Sequence, residues 1–158
     1  MSKERLYLFD TTLRDGAQTT GVDFSLEDKR RLMRVLDELG VDYIEGGYPG
    51  ANATDSELFN VRPDLKSARF TAFGMTKRAG RSVSNDPGFQ AVLQSSADSI
   101  CLVAKSSDYQ VRVALGITNE ENLEAVDQSV RAVVETQREA MIDCEHFFDG
   151  YKSNRDYA

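Results

Sequence analysis

Two patterns of hydrophobic and polar positions alternate along the chain. Short apolar runs rich in β-forming residues predict five strands, at residues 6–10, 41–45, 69–75, 99–104 and 140–145. The fourth run is almost continuously apolar, as in a strand that is buried on both faces. Stretches with apolar residues three or four positions apart lie between these runs and predict helices. Strands separated by helices favour an α/β fold with a parallel sheet, and periodicity alone leaves an open doubly wound sheet and a closed barrel as alternatives.

The first helix is predicted from its caps and its apolar spacing. Ser25 and Asp28 are spaced as a capping pair, and Gly40 is placed to close the helix. The apolar face is predicted to comprise Leu32, Val35, Leu36 and Leu39. The basic residues 29–31 lie in the same helical pattern between acidic residues, which predicts a solvated helix face.

Two more capping signatures occur further along the chain. Thr54 with Glu57 predicts a brief helix that ends near Phe59, and Thr118 with Glu121 predicts a long one. The apolar face of the long helix is predicted to comprise Leu123, Val126, Val130, Val133 and Val134. Short helices are expected at residues 88–95, after Pro87, and at 109–115. Residues 147–158 are expected to form a polar tail with aromatic anchors.

Charge and composition exclude several classes of protein. The 158 residues include 26 acidic and 19 basic side chains, a net charge of −7, which argues against a nucleic-acid-binding protein. No apolar run approaches the ~18 residues of a membrane span, and no signal-peptide core is present, so we expect a cytoplasmic soluble protein. Cys101 and Cys144 lack a metal-finger spacing and are expected to be buried, reduced thiols. Glycine-rich nucleotide-binding loops with the required spacing are missing.

Three motifs carry a resemblance to a known family. Residues 9–18 read FDTTLRDGAQ, residues 43–50 read YIEGGYPG, and residues 143–152 read DCEHFFDGYK. The first two resemble the start of the superfamily that contains the isopropylmalate, homocitrate and citramalate synthases and 3-hydroxy-3-methylglutaryl-CoA (HMG-CoA) lyase. Residues 44–50 and 143–152 are most similar to the (R)-citramalate synthases within that group.

The resemblance implies a fold that this length cannot complete. The family's catalytic domain is a (β/α)8 barrel, which needs about 250 residues. We therefore expect residues 1–158 to be the N-terminal portion of a single barrel domain, about five βα units of a partial TIM barrel, truncated before the later strands.

In such a barrel, polar residues at the carboxyl ends of the strands face one mouth. The residues predicted to converge there are Asp10, Arg14, Asp15, Glu45, Lys105, Asp143 and Glu145. A solvated loop charge is the alternative for each residue taken singly, and for Lys105 the two interpretations stay equally open.

The family's chemistry implies a metal-dependent acyltransferase. Acetyl-CoA would condense with a small α-keto acid, pyruvate giving citramalate, in a homodimeric enzyme without nucleic-acid or membrane partners. Two alternatives stay open. One is an isopropylmalate or homocitrate synthase or an HMG-CoA-lyase-like enzyme. The other is an inactive half-barrel that self-associates through the unprotected sheet edges of the first and fifth strands.

The end of the first strand supplies the main candidate residues. The resemblance implies that Asp15 is the first ligand of a divalent ion, Mg²⁺, Mn²⁺ or Zn²⁺, and carboxylate oxygens suit such ions. Further family ligands include a His-x-His pair, but the chain has only His146, which we expect to be structural, so the ligand set is incomplete. Arg14 would stabilise developing negative charge, and a structural ion pair with Glu45 is compatible with that role.

Other candidates come from the first loop and the fifth strand. Gln18 is predicted to hydrogen-bond the substrate or a metal-bound water. Glu145 matches a strand-five carboxylate that family synthases use near the acetyl group. Asp143 points to the same side of an extended strand, so the assignment between the two carboxylates stays open. Catalytic roles are thus predicted for Arg14, Glu45 and Glu145, and substrate binding for Arg14, Gln18 and Asp143.

Overall fold

Strands and helices alternate along the chain in the computed structural model, which describes residues 4–158. The first three residues of the predicted domain lie outside this description. The strands are β1 Phe9–Asp10, β2 Tyr43–Gly47, β3 Arg69–Met75, β4 Ser99–Lys105 and β5 Glu139–Glu145. The helices are α1 Leu26–Leu39, α2 Ala53–Leu58, α3 Pro87–Leu93, α4 Asp108–Gln110, α5 Asn119–Glu135 and α6 Phe147–Ser153. The chain also forms 3₁₀ turns at Gly16–Gln18 and Val83–Asn85 and a π-helical turn at Val111–Leu115.

The strands form a sheet in sequence order, β1-β2-β3-β4-β5. β1 pairs in parallel with β2, Phe9 opposite Tyr43, and β2 pairs in parallel with β3. The ladder between β2 and β3 is irregular between Glu45 and Gly47. β1 is shorter than the predicted 6–10, although Leu8 O still accepts hydrogen bonds from two consecutive backbone N–H groups at the start of β2. The predicted α/β class with parallel strands is confirmed.

The chain divides into two compact units. The first comprises the described residues up to Phe73 together with Ser95–Ser99, and the second comprises Gly74–Gln94 and Ile100–Ala158. In the core of the first unit the rings of Phe59 and Phe70 stack with centroids 4.3 Å apart. Buried apolar residues in the second unit include Phe89, Val92, Ile100, Leu102, Val111 and Val133.

Two of the three predicted capping pairs are confirmed. Ser25 with Asp28 and Thr118 with Glu121 form complete capping boxes at the starts of α1 and α5. The signature at Thr54 is wrong, because Asn52 is the N-cap of α2 and Thr54 lies inside the helix. An asparagine carbonyl caps as well as a hydroxyl, so the earlier residue takes this place.

The predicted apolar face of α1 is wrong for two of its four residues, since Leu32 and Leu36 are half-buried and the other two are exposed. The buried residues of α1 are Lys29, Met33 and Asp37, whereas Val35 and Leu39 are exposed. Polar side chains therefore occupy part of the buried stripe. Lys29 and Asp37 hydrogen-bond backbone groups near the ends of neighbouring strands. Without these two side chains, those backbone groups would be buried without hydrogen-bond partners.

Helix α5 repeats this arrangement in the second unit. Its buried residues are Asn122, Ala125, Ser129 and Val133, and the predicted face members Leu123 and Val134 are exposed. The Lys77 backbone N–H donates to Ser129 Oγ at 2.9 Å, and Asn122 Nδ2 donates to Lys105 O at 3.0 Å. The helix thus holds the segments that follow β3 and β4.

The expected polar tail at residues 147–158 is also wrong, since α6 forms there. A Cβ placed on Gly150 would lie 2.2 Å from Ser106 O, so only glycine allows the helix to approach the end of β4 this closely. The Asp108 carboxylate accepts hydrogen bonds from Asn154 and Ser153, which hold the pKa of Asp108 below its ordinary value.

Of the two free cysteines, Cys101 is buried as expected, but Cys144 is exposed. Within the described part of the chain, no helix is both long and apolar enough to cross a membrane.

Asp37 holds the turn that leads into β3. Its carboxylate accepts from the backbone N–H groups of Lys66, Ser67 and Ala68 at 2.6, 2.9 and 2.8 Å. Burial alone would raise the pKa of Asp37, but these donors and the Ser67 hydroxyl outweigh it and lower the pKa to about 2.

Asp37→Asn is expected to lower the free energy of unfolding by on the order of 2 kcal/mol at pH 7, because an amide cannot accept from all of these donors. The folded-state pKa lies below the unfolded one of about 3.9, so the contribution is complete above roughly pH 4 and is lost as the pH falls towards 2. Urea unfolding of both proteins at pH 7 and pH 3 measures this. Asp64→Asn, in the exposed loop before β3, is the control. A stability difference that stays constant between the two pH values contradicts the assignment.

Candidate active site

A cavity of about 410 Å³ opens at the carboxyl ends of β1 and β2 in the first unit. Residues that line it include Arg14, Gln18, Tyr48, Asn52, Asp55 and Phe73. The turn after β1 builds one side of it. Thr11 O accepts from the backbone N–H groups of Arg14, Asp15 and Gly16 at 3.1, 2.8 and 3.2 Å. This tight turn places Arg14 in the cavity lining, and the predicted metal ligand Asp15 follows it in the chain and accepts a hydrogen bond from it.

The Arg14 guanidinium is fixed from three directions. Its Nε donates to Glu45 Oε2 at 2.7 Å, and its Nη1 donates to Asp15 Oδ1 at 3.1 Å. Its Cζ lies 3.9 Å from the ring centroid of Phe73, in cation–π contact. Glu45 is only 1% exposed, so the ion pair between Arg14 and Glu45 is shielded from water. The predicted ion pair therefore exists, and it holds the guanidinium in one orientation.

The two aspartates near this turn have different roles. Asp10 accepts from the Thr12 backbone N–H and hydroxyl, both at 3.0 Å, and so stabilises the turn. The Asp15 side chain is 60% exposed and accepts from Arg14. An exposed carboxylate held on one side by an arginine keeps lone pairs that can bind a cation.

The donor set for a metal ion is partial. The Asp15 carboxylate has the chemistry and the access that a hard divalent ion needs. However, no three His, Cys, Asp or Glu side chains of residues 4–158 come close enough together to hold an ion. Asp15 thus fits one position of a metal site, and the other ligands are not supplied by these residues.

Gln18 is exposed and lines the same cavity as Arg14, as its predicted substrate contact requires. Sequence reasoning missed Tyr48, Phe73, Lys29 and Asp55, which line it as well. Phe73 lies near the carboxyl end of β3, where the strand-end rule also predicts aromatic residues to face the site.

The candidates on β4 and β5 lie in the second unit. Lys105 and Glu145 form an ion pair through Nζ and Oε2, so Lys105 is not simply a solvated loop charge. Asp143 is exposed. His146 has a left-handed backbone with φ of 59°, and its Nε2 lies 3.8 Å from Glu145 Oε1.

The structure therefore brings the predicted residues together in two sets. Arg14 and Gln18 line the cavity of the first unit, and Asp15 and Glu45 pair with Arg14. Lys105 pairs with Glu145 in the second unit. That all of them share one mouth stays a prediction.

Parallel strands with a cavity at their carboxyl ends are typical of α/β enzymes. The HMGL-like family model matches residues 5–153, and the chain belongs to this family. Over 98% of its length it is 46% identical to the (R)-citramalate synthase of Streptomyces coelicolor, and 45% identical to that of Aquifex aeolicus. A 2-isopropylmalate synthase of Sulfurisphaera tokodaii is 31% identical over 83% of the chain. The chain spans about 30% of the length of these curated relatives.

Solved structures confirm the predicted fold. Hydroxymethylglutaryl-CoA lyase from Pseudomonas aeruginosa matches 87% of this chain and 45% of its own, with a TM-score of 0.68 and 22% identity. The Bacillus subtilis HMG-CoA lyase matches 89% of this chain and 46% of its own, with a TM-score of 0.69 and 17% identity. These lyases are TIM barrels, so the chain has the fold of part of such a barrel.

Proposed function

We propose that this chain supplies part of the active site of an acyltransferase that condenses acetyl-CoA with a small α-keto acid, pyruvate giving citramalate. The observation that carries the proposal is the Arg14 guanidinium, held by Glu45 and Phe73 beside the open carboxylate of Asp15. The identity of 45 to 46% to relatives named (R)-citramalate synthase supports pyruvate as the keto acid.

Arg14 is the group proposed to meet developing negative charge. Two of its nitrogens are committed to carboxylates, and we assign the third, Nη2, to the substrate oxygen. Because Glu45 and Phe73 fix the guanidinium before substrate arrives, little reorganisation is needed during the reaction. Glu45 is therefore proposed to act through Arg14 rather than to touch the substrate.

The charges around the cavity favour a divalent cation. The charges of the lining residues Arg14, Lys29, Asp23 and Asp55 cancel one another, and the two carboxylates paired with Arg14, Asp15 and Glu45, add two negative charges. The resulting balance of −2 opposes an anionic keto acid by itself and suits it once a divalent ion is bound. We propose Asp15 as one ligand, and the ion when bound would polarise the keto carbonyl.

The second unit is proposed to act on the thioester. Glu145 is the candidate near the acetyl group, and its ion pair with Lys105 restricts where its carboxylate can point. Asp143, exposed two residues earlier on the same strand, stays the alternative for substrate binding. Gln18 is proposed to hydrogen-bond the substrate from the rim of the Arg14 cavity.

Two alternatives to the proposed function are each favoured by one observation. The 31% identity to a 2-isopropylmalate synthase keeps a bulkier keto acid as a rival substrate. Self-association of the chain is favoured by the residues before β1, since Leu6 is 87% exposed and Tyr7 and Leu8 are exposed as well. The homodimer and the cytoplasmic location stay predictions.

A chimera tests the substrate assignment. This chain replaces the matched 30% of the Streptomyces coelicolor (R)-citramalate synthase, and release of CoA thiol is measured with pyruvate, 2-oxoisovalerate and 2-oxoglutarate. We expect pyruvate to be favoured by about tenfold or more in kcat/KM, the usual value of small apolar differences in a pocket. The parent synthase is the control. A folded chimera that prefers 2-oxoisovalerate supports the isopropylmalate alternative, and one that releases no CoA contradicts the proposal.

A further inference from the structure

Lys29 on helix α1 is buried, although the sequence predicts a solvated position for it. It is only 4% exposed. Its Nζ donates to Gly46 O at 2.9 Å and to the carboxylate of Asp55, which is also buried. An ion pair removed from water to this degree pays a large desolvation cost, which only close hydrogen bonding offsets.

Asp55 lies in the first turn of α2, and its side chain reaches back to the loop between β2 and α2. Besides Lys29, its carboxylate accepts from the Tyr48 backbone N–H at 2.9 Å and from Asn52 Nδ2 at 3.1 Å. Its own backbone N–H donates to Asn52 Oδ1 at 2.8 Å, which caps α2. A Cβ on Gly47 would lie 2.5 Å from Asp55 Cγ, so the backbone passes directly against the carboxylate. Three donor groups, one from α1 and two from the loop before α2, thus meet at one side chain.

This loop forms a wall of the Arg14 cavity. Tyr48 and Asn52 both line it. The Tyr48 ring contacts the Phe73 ring edge-on, with centroids 5.8 Å apart. The Arg14 guanidinium lies over the other ring, that of Phe73, in cation–π contact. A continuous series of contacts therefore runs from the buried ion pair to Arg14.

Stability alone does not account for the pair. Replacing a buried ion pair by apolar residues of similar size is often neutral or stabilising, whereas removing one partner is costly. What an apolar pair cannot do is accept the Tyr48 N–H and the Asn52 amide in fixed directions. The contribution specific to the ion pair is the geometry of the loop.

We propose that Lys29 and Asp55 are positioning residues: their buried ion pair fixes the loop from Gly46 to Asn52 so that Tyr48 and Asn52 face the cavity and Tyr48 supports Phe73 under Arg14. The role rests on this cavity being the reaction site proposed above. Its test measures the loop alone, so it succeeds or fails independently of turnover.

The test is hydrogen exchange on the 158-residue chain with the double variant Lys29→Met/Asp55→Leu. Leucine branches at the same carbon as aspartate, so the shape is largely kept. We expect the Tyr48 amide to exchange about tenfold or more faster than in the wild type, since a hydrogen bond to a charged group is lost. The internal reference is the Phe70 amide, which donates to Asp98 Oδ2 at 3.0 Å in the same unit and should stay protected. With 3-fluorotyrosine incorporated, the ¹⁹F resonance of Tyr48 should move towards the values of exposed tyrosines.

The matched control is Lys66→Met/Glu38→Leu, an exposed ion pair of the same unit with 3.9 Å between its charged atoms. It is expected to leave the Tyr48 amide unchanged. Lys29→Met alone leaves the buried Asp55 carboxylate without its charged partner and should lower the urea midpoint of unfolding. The double variant removes both charges, so it tests the proposal even if the single variant does not fold. Equal loss of protection at Tyr48 and Phe70 would show a merely structural role. Full retention at Tyr48 in the double variant would equally overturn the proposal.

Discussion

Arg14→Ala in the chimera is expected to lower kcat/KM for condensation by about 10³-fold, the scale of losing a preorganised donor to developing negative charge. The effect should appear mainly in kcat, because the guanidinium is fixed before substrate binds by Glu45 at 2.7 Å and by the Phe73 ring at 3.9 Å. Steady-state measurement of keto-acid-dependent CoA release gives both parameters.

Arg14→Lys separates charge from geometry. An ammonium keeps the positive charge, but it cannot donate to Glu45 and Asp15 while lying flat on Phe73. We expect it to restore little of the lost activity. Arg31→Ala removes an exposed arginine that pairs with Glu27 at 3.0 Å, and it should leave kcat/KM unchanged. Turnover close to wild type in Arg14→Ala would remove the central element of the proposed function.

Asp15→Ala is expected to abolish turnover while leaving stability almost unchanged. The side chain is 60% exposed, and an exposed substitution of this kind usually alters the free energy of unfolding by no more than about 0.5 kcal/mol. Loss of a carboxylate ligand, in contrast, should weaken Mn²⁺ binding by about tenfold or more. Urea unfolding of the 158-residue chain and Mn²⁺ titration of the chimera measure the two effects.

Asp127→Asn is the control for Asp15, because Asp127 is exposed and pairs with Arg131 on the surface of α5. It should bind Mn²⁺ and turn over substrate like the unmodified chimera. If Asp15→Ala destabilises the chain strongly, the carboxylate holds the turn after β1 rather than a cation. If Mn²⁺ binding and activity both survive, the ligand assignment is wrong.

Local interactions explain where sequence reasoning succeeded. β3 begins and ends where the apolar run predicted, and Pro87 opens α3 as expected. Gly40 closes α1 with φ of 84°, a conformation that glycine adopts without a steric penalty. Each of these features depends on residues within a few positions of one another, so the pattern along the chain contains the needed information.

The helix faces show where the same reasoning failed. Hydrophobic spacing selected Val35 and Leu39 on α1, but the buried stripe contains Lys29 and Asp37. Their partners are backbone groups and a carboxylate 17 to 31 residues away, at Gly46, Asp55 and the turn before β3. Nothing within the helix indicates those partners.

The sequence by itself determined the order of the five strands and of helices α1 to α5, the family, and the placing of Arg14 and Asp15 just after the first strand. These follow from local pattern and from motifs that are contiguous in the chain. Only the tertiary structure decided that Glu45 and Phe73 hold Arg14, and that Lys29 and Asp55 shape the neighbouring loop. These contacts join residues that are far apart in sequence, and they exist only once the first three strands lie side by side and bring the ends of those strands together.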